Sequence, residues 1–125
     1  MYRRIILALA VSALLLTVGP AVAGGDTVRR EGSCSGRGEW RLRVSRETAT
    51  TIRVRFDIEH LDPGDSWQLF LSDNGTRIFS ATRVVGSQGE VRAVRVTGDR
   101  AGTDRIKGTG VNVTSGGSCE GALTY

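Results

Sequence analysis

The chain has 125 residues, 39% of them hydrophobic and 24% charged, with a net charge of +4. That length supplies one modest core and excludes a second domain of comparable size. One histidine and two cysteines leave little for nucleophilic or metal chemistry.

The first 23 residues read as an export signal. Met1-Tyr2-Arg3-Arg4 is a short basic start, Ile5 to Val18 is an unbroken run of apolar and small residues, and Ala21-Val22-Ala23 follows the break at Gly19-Pro20 as a cleavage site. The apolar run is too short for a bilayer span, which takes roughly 20 residues. Cys34 lies eleven residues past the cut, so the signal is not that of a lipoprotein. Removing Arg3 and Arg4 leaves fifteen basic residues against thirteen acidic ones, a net charge of +2. A nucleic-acid partner then loses most of its electrostatic support. The expectation is a secreted protein, extracellular or in the cell-envelope space, with no membrane span in the mature chain. In an oxidising compartment Cys34 and Cys119 are expected to pair and close nearly the whole folded part.

Residues 24–32 are polar and glycine-rich and read as a flexible lead-in, with the folded domain over 33–125. From Trp40 the period is two: Trp40, Leu42 and Val44 alternate with Glu39, Arg41 and Arg43, and Ile52, Val54, Phe56 and Ile58 alternate with Arg53, Arg55, Asp57 and Glu59. These are strands with one wet face. Asp62-Pro63-Gly64-Asp65 is a turn. Trp67, Leu69 and Leu71 open the next strand, and Asn74-Gly75 predicts a type I′ hairpin with a return strand from about Arg77 to Thr82. At Val91, Val94 and Val96 the alternation slips by one, which predicts a bulge. A turn over 99–104 precedes a strand through Ile106, Val111 and Val113, interrupted by Gly108 and Gly110, and a last strand runs from Cys119 to Tyr125. Seven or eight short strands at this spacing predict an all-β fold, an antiparallel immunoglobulin-like β-sandwich following a cleavable signal helix. A small closed barrel is the competing fold.

The pattern Cys34-Ser-Gly36, Trp40-x-Leu42, Gly64-x-x-Trp67-x-Leu69-x-Leu71, Asn74-Gly75, Asp99-x-x-Gly102-x-Asp104-x-Ile106 and Gly117-x-Cys119 resembles small secreted β-sandwich proteins of unknown function from high-GC Gram-positive bacteria. The resemblance covers nearly all of the chain after the signal. Its motifs are turns, core positions and cysteines, so it implies fold and compartment and no catalytic residue.

Four constellations carry chemistry. His60 is the sole histidine, and no serine sits on a nucleophile elbow, so His60 reads as a solvated turn residue and the chain as no enzyme. Asp62, Asp65, Asp99 and Asp104 are loop carboxylates, yet none matches a calcium-loop spacing, and no metal or other cofactor is expected. Pairing Leu42 with Val54 and Val44 with Ile52 sets Arg41 opposite Arg55 and Arg43 opposite Arg53 on the wet face, an arrangement unfavourable without an anion. A register shifted by two instead brings Glu39, Asp57 and Glu59 to the arginines. Counting outward from Asn74-Gly75 pairs Leu71 with Ile78 and Phe70 with Phe79, which predicts an exposed aromatic patch for a protein or sugar contact. The expected function is a non-catalytic binding or structural module, its partner an envelope polymer or a secreted protein. The alternative is a secreted inhibitor of an extracellular enzyme.

Overall fold

The computed structural model describes residues 26–125; the expected signal at 1–23 lies outside the described residues. Eight antiparallel strands follow in chain order: β1 (Thr27–Ser33), β2 (Glu39–Arg46), β3 (Thr51–Glu59), β4 (Ser66–Asp73), β5 (Thr76–Val84), β6 (Val91–Gly98), β7 (Arg105–Asn112) and β8 (Ser118–Thr124). They form two four-stranded sheets, ordered β1-β2-β3-β6 and β5-β4-β7-β8. The fold is the expected β-sandwich. Its third strand stays in the first sheet, whereas in an immunoglobulin domain the third strand crosses to the second. No helix among the described residues is long and apolar enough to cross a membrane.

The alternating residues make the core. Leu42, Val44, Ile52, Val54, Phe56 and Ile58 from the first sheet are fully buried against Trp67, Leu69, Leu71 and Ile106 from the second. The glycines that interrupt the last strands have a packing role. A methyl group on Gly108 would lie 2.7 Å from the Phe56 ring, and one on Gly121 would lie within 3.0 Å of the Trp40 ring, which Gly32 flanks at 2.7 Å. Bulky rings on one sheet thus face bare backbone on the other, which keeps the sheets close without voids. Gly121→Val is expected to lower stability by about 1–3 kcal/mol, as overpacking does. Urea unfolding followed by tryptophan fluorescence measures it, and an unchanged midpoint would refute this packing role.

Three expectations are corrected. The segment 24–32 is not wholly a lead-in: Thr27 to Ser33 pair residue by residue with Ser45 to Glu39 as β1. Few apolar side chains mark this strand, because it is an edge whose pairing is carried by backbone hydrogen bonds. The bulge expected in β6 is absent; β3 and β6 pair without a break from Thr51↔Gly98 to Ile58↔Val91. The apparent slip arises because Val91 and Ala93 face the core while Val94 and Val96 are exposed. The irregularity lies instead in β4–β5, between Leu71 and Ser72.

Edge strands expose unpaired backbone and invite aggregation unless something blocks approach. At core-facing register positions Arg30 lies opposite Leu42 on β1, Arg95 opposite Val54 on β6, and Arg83 opposite Trp67 on β5. All three arginines are exposed, so each of these edges carries a charge where an apolar residue would continue the core. The fourth edge, β8, is tied to the end of β1 by the Cys34–Cys119 disulfide, with the backbone amide of Ser35 donating to the Ser118 carbonyl at 2.8 Å.

Candidate functional site

The outer face of the β1-β2-β3-β6 sheet concentrates charge in rows that run across the strands. The β2–β3 loop closes with the Glu47 amide on the Thr51 carbonyl at 2.9 Å, and the register is the shifted one: Leu42 faces Phe56 and Val44 faces Val54. Arg41 therefore lies opposite Asp57, and Arg53 opposite Ser45, not opposite Arg55 and Arg43. Neither expected like-charge pairing forms, but the shifted register creates another, Arg43 opposite Arg55, and β1 extends it, because Arg29 lies opposite Arg43. Three arginines on three adjacent strands thus share one row. Strands lie about 4.8 Å apart, so the row anchors three guanidinium groups across roughly 10 Å.

The neighbouring rows behave differently. Glu31, Arg41, Asp57 and Arg92 alternate in sign across β1, β2, β3 and β6. The next row brings Glu39 opposite Glu59. The sheet is basic at one end and acidic at the other. At the acidic end Arg41 reaches Glu59 at 3.8 Å, and His60 Nδ1 lies 3.4 Å from a Glu39 oxygen. His60 is exposed at a positive φ of 61°, a bend residue as expected from its place between strand and turn.

Asp57 organises the basic end. It is buried beneath its neighbours, and Arg55 Nε donates to one oxygen at 2.8 Å while Arg92 Nε donates to the other at 2.5 Å. Hydrogen bonding to Asp57 raises the already high proton affinity of Arg92. Both arginines spend their inner nitrogen on Asp57, and their terminal NH₂ groups have no acceptor among the described residues. Arg53 differs, since Nε and Nη2 both donate to Glu47, at 3.0 and 2.9 Å. Arg29 and Arg43 have no salt-bridge partner among the described residues, and the buried Nε of Arg43 has no acceptor. Arg43, Ser45, Arg53, Arg55, Arg92 and Val94 line a groove of about 280 Å³ here. No carboxylate is among these lining residues. Arg29 and Arg92 were hidden from sequence reasoning, the first because its segment looked like a lead-in, the second because β6 alternation was obscured.

The aromatic patch does not form. The bulge after Leu71 moves Phe79 opposite Leu71, so Phe79 packs against the core, while Phe70 lies opposite Ser80 on the outer face. One extra residue reverses the facing of everything beyond it. Phe70 is covered in turn by Arg77, whose guanidinium carbon sits 4.3 Å from the ring centre. The hairpin itself is as expected, with positive φ at both Asn74 and Gly75.

The loop carboxylates go separate ways. Arg37 reaches Asp62 at 2.6 Å, Asn112 donates to Asp65 at 2.9 Å, and Arg46 donates to Asp99 at 2.9 Å. Among the described residues no three acidic, histidine or cysteine side chains are arranged to hold a metal. Asp104 is completely buried, as is Asp73, and neither carboxyl receives a hydrogen bond from an N–H or hydroxyl group among the described residues. Asp73 faces the core opposite Ile106, and Asp104 is two residues before Ile106, so the two carboxyls are diagonal neighbours between the sheets. Burial, then hydrogen bonding to Asp99, then the nearness of Asp73 push the Asp104 carboxyl up to about 6. Its hydrogen bond and the Arg46 guanidinium hold Asp99 below the usual value. Compared with known proteins, the chain matches no family model and no curated protein.

Proposed function

We propose that this protein works outside the cytoplasm as a non-catalytic binding module, and that the basic end of the β1-β2-β3-β6 face is its contact surface for an anionic partner. The row Arg29–Arg43–Arg55 carries the reading. Like charges placed directly opposite each other destabilise a sheet, and no carboxylate occupies a position in this row on β1, β2 or β3. A seated anion converts that repulsion into charge-assisted hydrogen bonds. The disulfide supports export, since such bridges persist in oxidising compartments. An anionic polymer of the cell envelope is the partner class in view, because its repeated charges match a row better than a single ion does.

Binding of the oxidised protein to immobilised polyphosphate tests this. Affinity is expected to fall steeply between low and physiological salt, over the range where the screening length shrinks toward about 8 Å. Arg29→Glu/Arg43→Glu is expected to lower it at least tenfold while leaving the thermal midpoint unchanged or raised. Salt-independent binding, or a double variant that binds like the parent, overturns the assignment.

A further inference from the structure

We infer that Arg43, Arg55 and Arg92 form a pocket for one tetrahedral oxyanion, a phosphoryl or sulfuryl group; this rests on the reading of the face as an anion contact surface. A row of charges attracts anions of any shape. The groove of about 280 Å³ beside it has a more specific construction.

The buried Asp57 accepts Nε–H bonds from Arg55 on its own strand and from Arg92 on β6, one on each oxygen. Both guanidinium groups are thereby held at Nε, and their terminal NH₂ groups have no acceptor among the described residues. A carboxylate used in this way fixes ligand-binding side chains as an orienting residue fixes a metal-binding histidine. Arg43 enters from β2 on the far side of Arg55, with no acid to neutralise it and with a buried Nε that has no acceptor. A buried donor without an acceptor is costly, and an oxygen brought against this guanidinium relieves it. Ser45, beside Arg43 in the groove lining, adds a hydroxyl, and Val94 supplies an apolar wall.

The donor count selects the anion. Three guanidinium groups from three adjacent strands line one groove, and each planar fork presents paired N–H donors. A carboxylate has two oxygens in one plane and satisfies one fork. A phosphoryl or sulfuryl group has three or four oxygens directed tetrahedrally, and so engages all three. The lining residues include no carboxylate to repel the ligand. Arg53, also in the lining, is held by Glu47 through two nitrogens and is therefore a bystander.

The test is a titration of the oxidised protein with inorganic phosphate, inorganic sulfate, glycerol 3-phosphate and acetate at one fixed ionic strength, read from arginine Nε–H resonances. Phosphate, sulfate and the phosphate ester are expected to shift Arg43, Arg55 and Arg92 together, with acetate at least tenfold weaker. Arg43→Ala and Arg92→Ala are each expected to weaken phosphate at least tenfold. Arg29→Ala is expected to weaken polyphosphate more than phosphate, and Arg83→Ala, on β5 of the other sheet, to leave both unchanged. Acetate binding as tightly as phosphate, or an Arg92→Ala protein that binds phosphate normally, overturns the pocket. Polyphosphate binding that is salt-sensitive but indifferent to Arg92→Ala would defeat the pocket and leave the broader reading intact. Failure to bind any of these anions defeats both.

Discussion

Removing the Cys34–Cys119 bridge is expected to cost this fold about 4.5 kcal/mol, the value that loop-closure entropy assigns to a crosslink spanning 85 residues. Domains of this size have a total stability of about 5–15 kcal/mol. The location adds to the expectation. Cys34 follows β1 and Cys119 lies in β8, the edge strands of the two different sheets. The bridge is the covalent tie between the sheets on that side, and Gly32 and Gly121 seat the Trp40 ring nearby. Without it, the remaining ties include the Ser35–Ser118 backbone bond and a hydroxyl contact at 3.2 Å, both exposed. Cys34→Ser/Cys119→Ser should therefore unfold at a much lower urea concentration with a similar slope. A double variant whose midpoint matches the oxidised parent would show that the sandwich is held by its core alone.

The second large effect runs against intuition: replacing a fully buried polar side chain is expected to stabilise the protein. Asp104 has a carboxyl pushed up to about 6, from an ordinary value of 3.8, first by burial and then by its acidic neighbours Asp99 and Asp73. Because the folded value is the higher one, the stability this group contributes is fully present below 3.8 and is lost as pH rises through about 6. At about 1.4 kcal/mol per tenfold change in proton affinity, ionising it in place costs on the order of 3 kcal/mol at neutral pH. Below 3.8 the sign reverses for Asp99, whose carboxyl is held low by Asp104 and Arg46 and whose contribution disappears on protonation. Stability should therefore peak in mildly acidic solution and decline toward pH 7. Asp104→Asn keeps the shape, removes the charge and offers an N–H donor to Asp99 or Asp73. It should raise the thermal midpoint at pH 7.5 and flatten the decline between pH 4 and 7. A variant less stable than the parent at pH 7.5, with the same pH dependence, would show that Asp104 is ionised without penalty. The backbone of Asp104 exchanges hydrogen bonds with Tyr125 at 2.8 and 3.0 Å, so the end of the last strand is the segment to loosen first as the carboxyl ionises.

Much of this architecture was legible from period-two alternation. Trp40, Leu42, Val44, Ile52, Val54, Phe56, Ile58, Trp67, Leu69 and Leu71 were readable as inward-facing because alternation says which side of a strand a residue occupies. The turn at Asn74-Gly75 and the pairing of the two cysteines were legible too, one from backbone sterics and the other from the oxidising compartment that an expected export signal would imply. Alternation does not say which residue faces which. A shift of two residues leaves every side chain on the same face, so Arg41 opposite Asp57 and Arg41 opposite Arg55 fit the sequence equally well. The choice was made by the β2–β3 loop and by the packing of Phe56 beside Leu42. A one-residue irregularity is worse for prediction, and the bulge after Leu71 separated Phe70 from Phe79.

Local sterics and the transfer of apolar side chains out of water made β2 to β8, most of their core faces and the covalent bridge readable along the chain, whereas β1 and the basic row depend on pairing between distant segments. Arg92 and Asp57 are 35 residues apart and meet because β6 returns from the second sheet to pair with β3. Arg29 reaches the row because a polar segment pairs as an edge strand through its backbone, which leaves no hydrophobic trace in the sequence. Charge geometry across strands is a property of register, and register is set by long-range pairing.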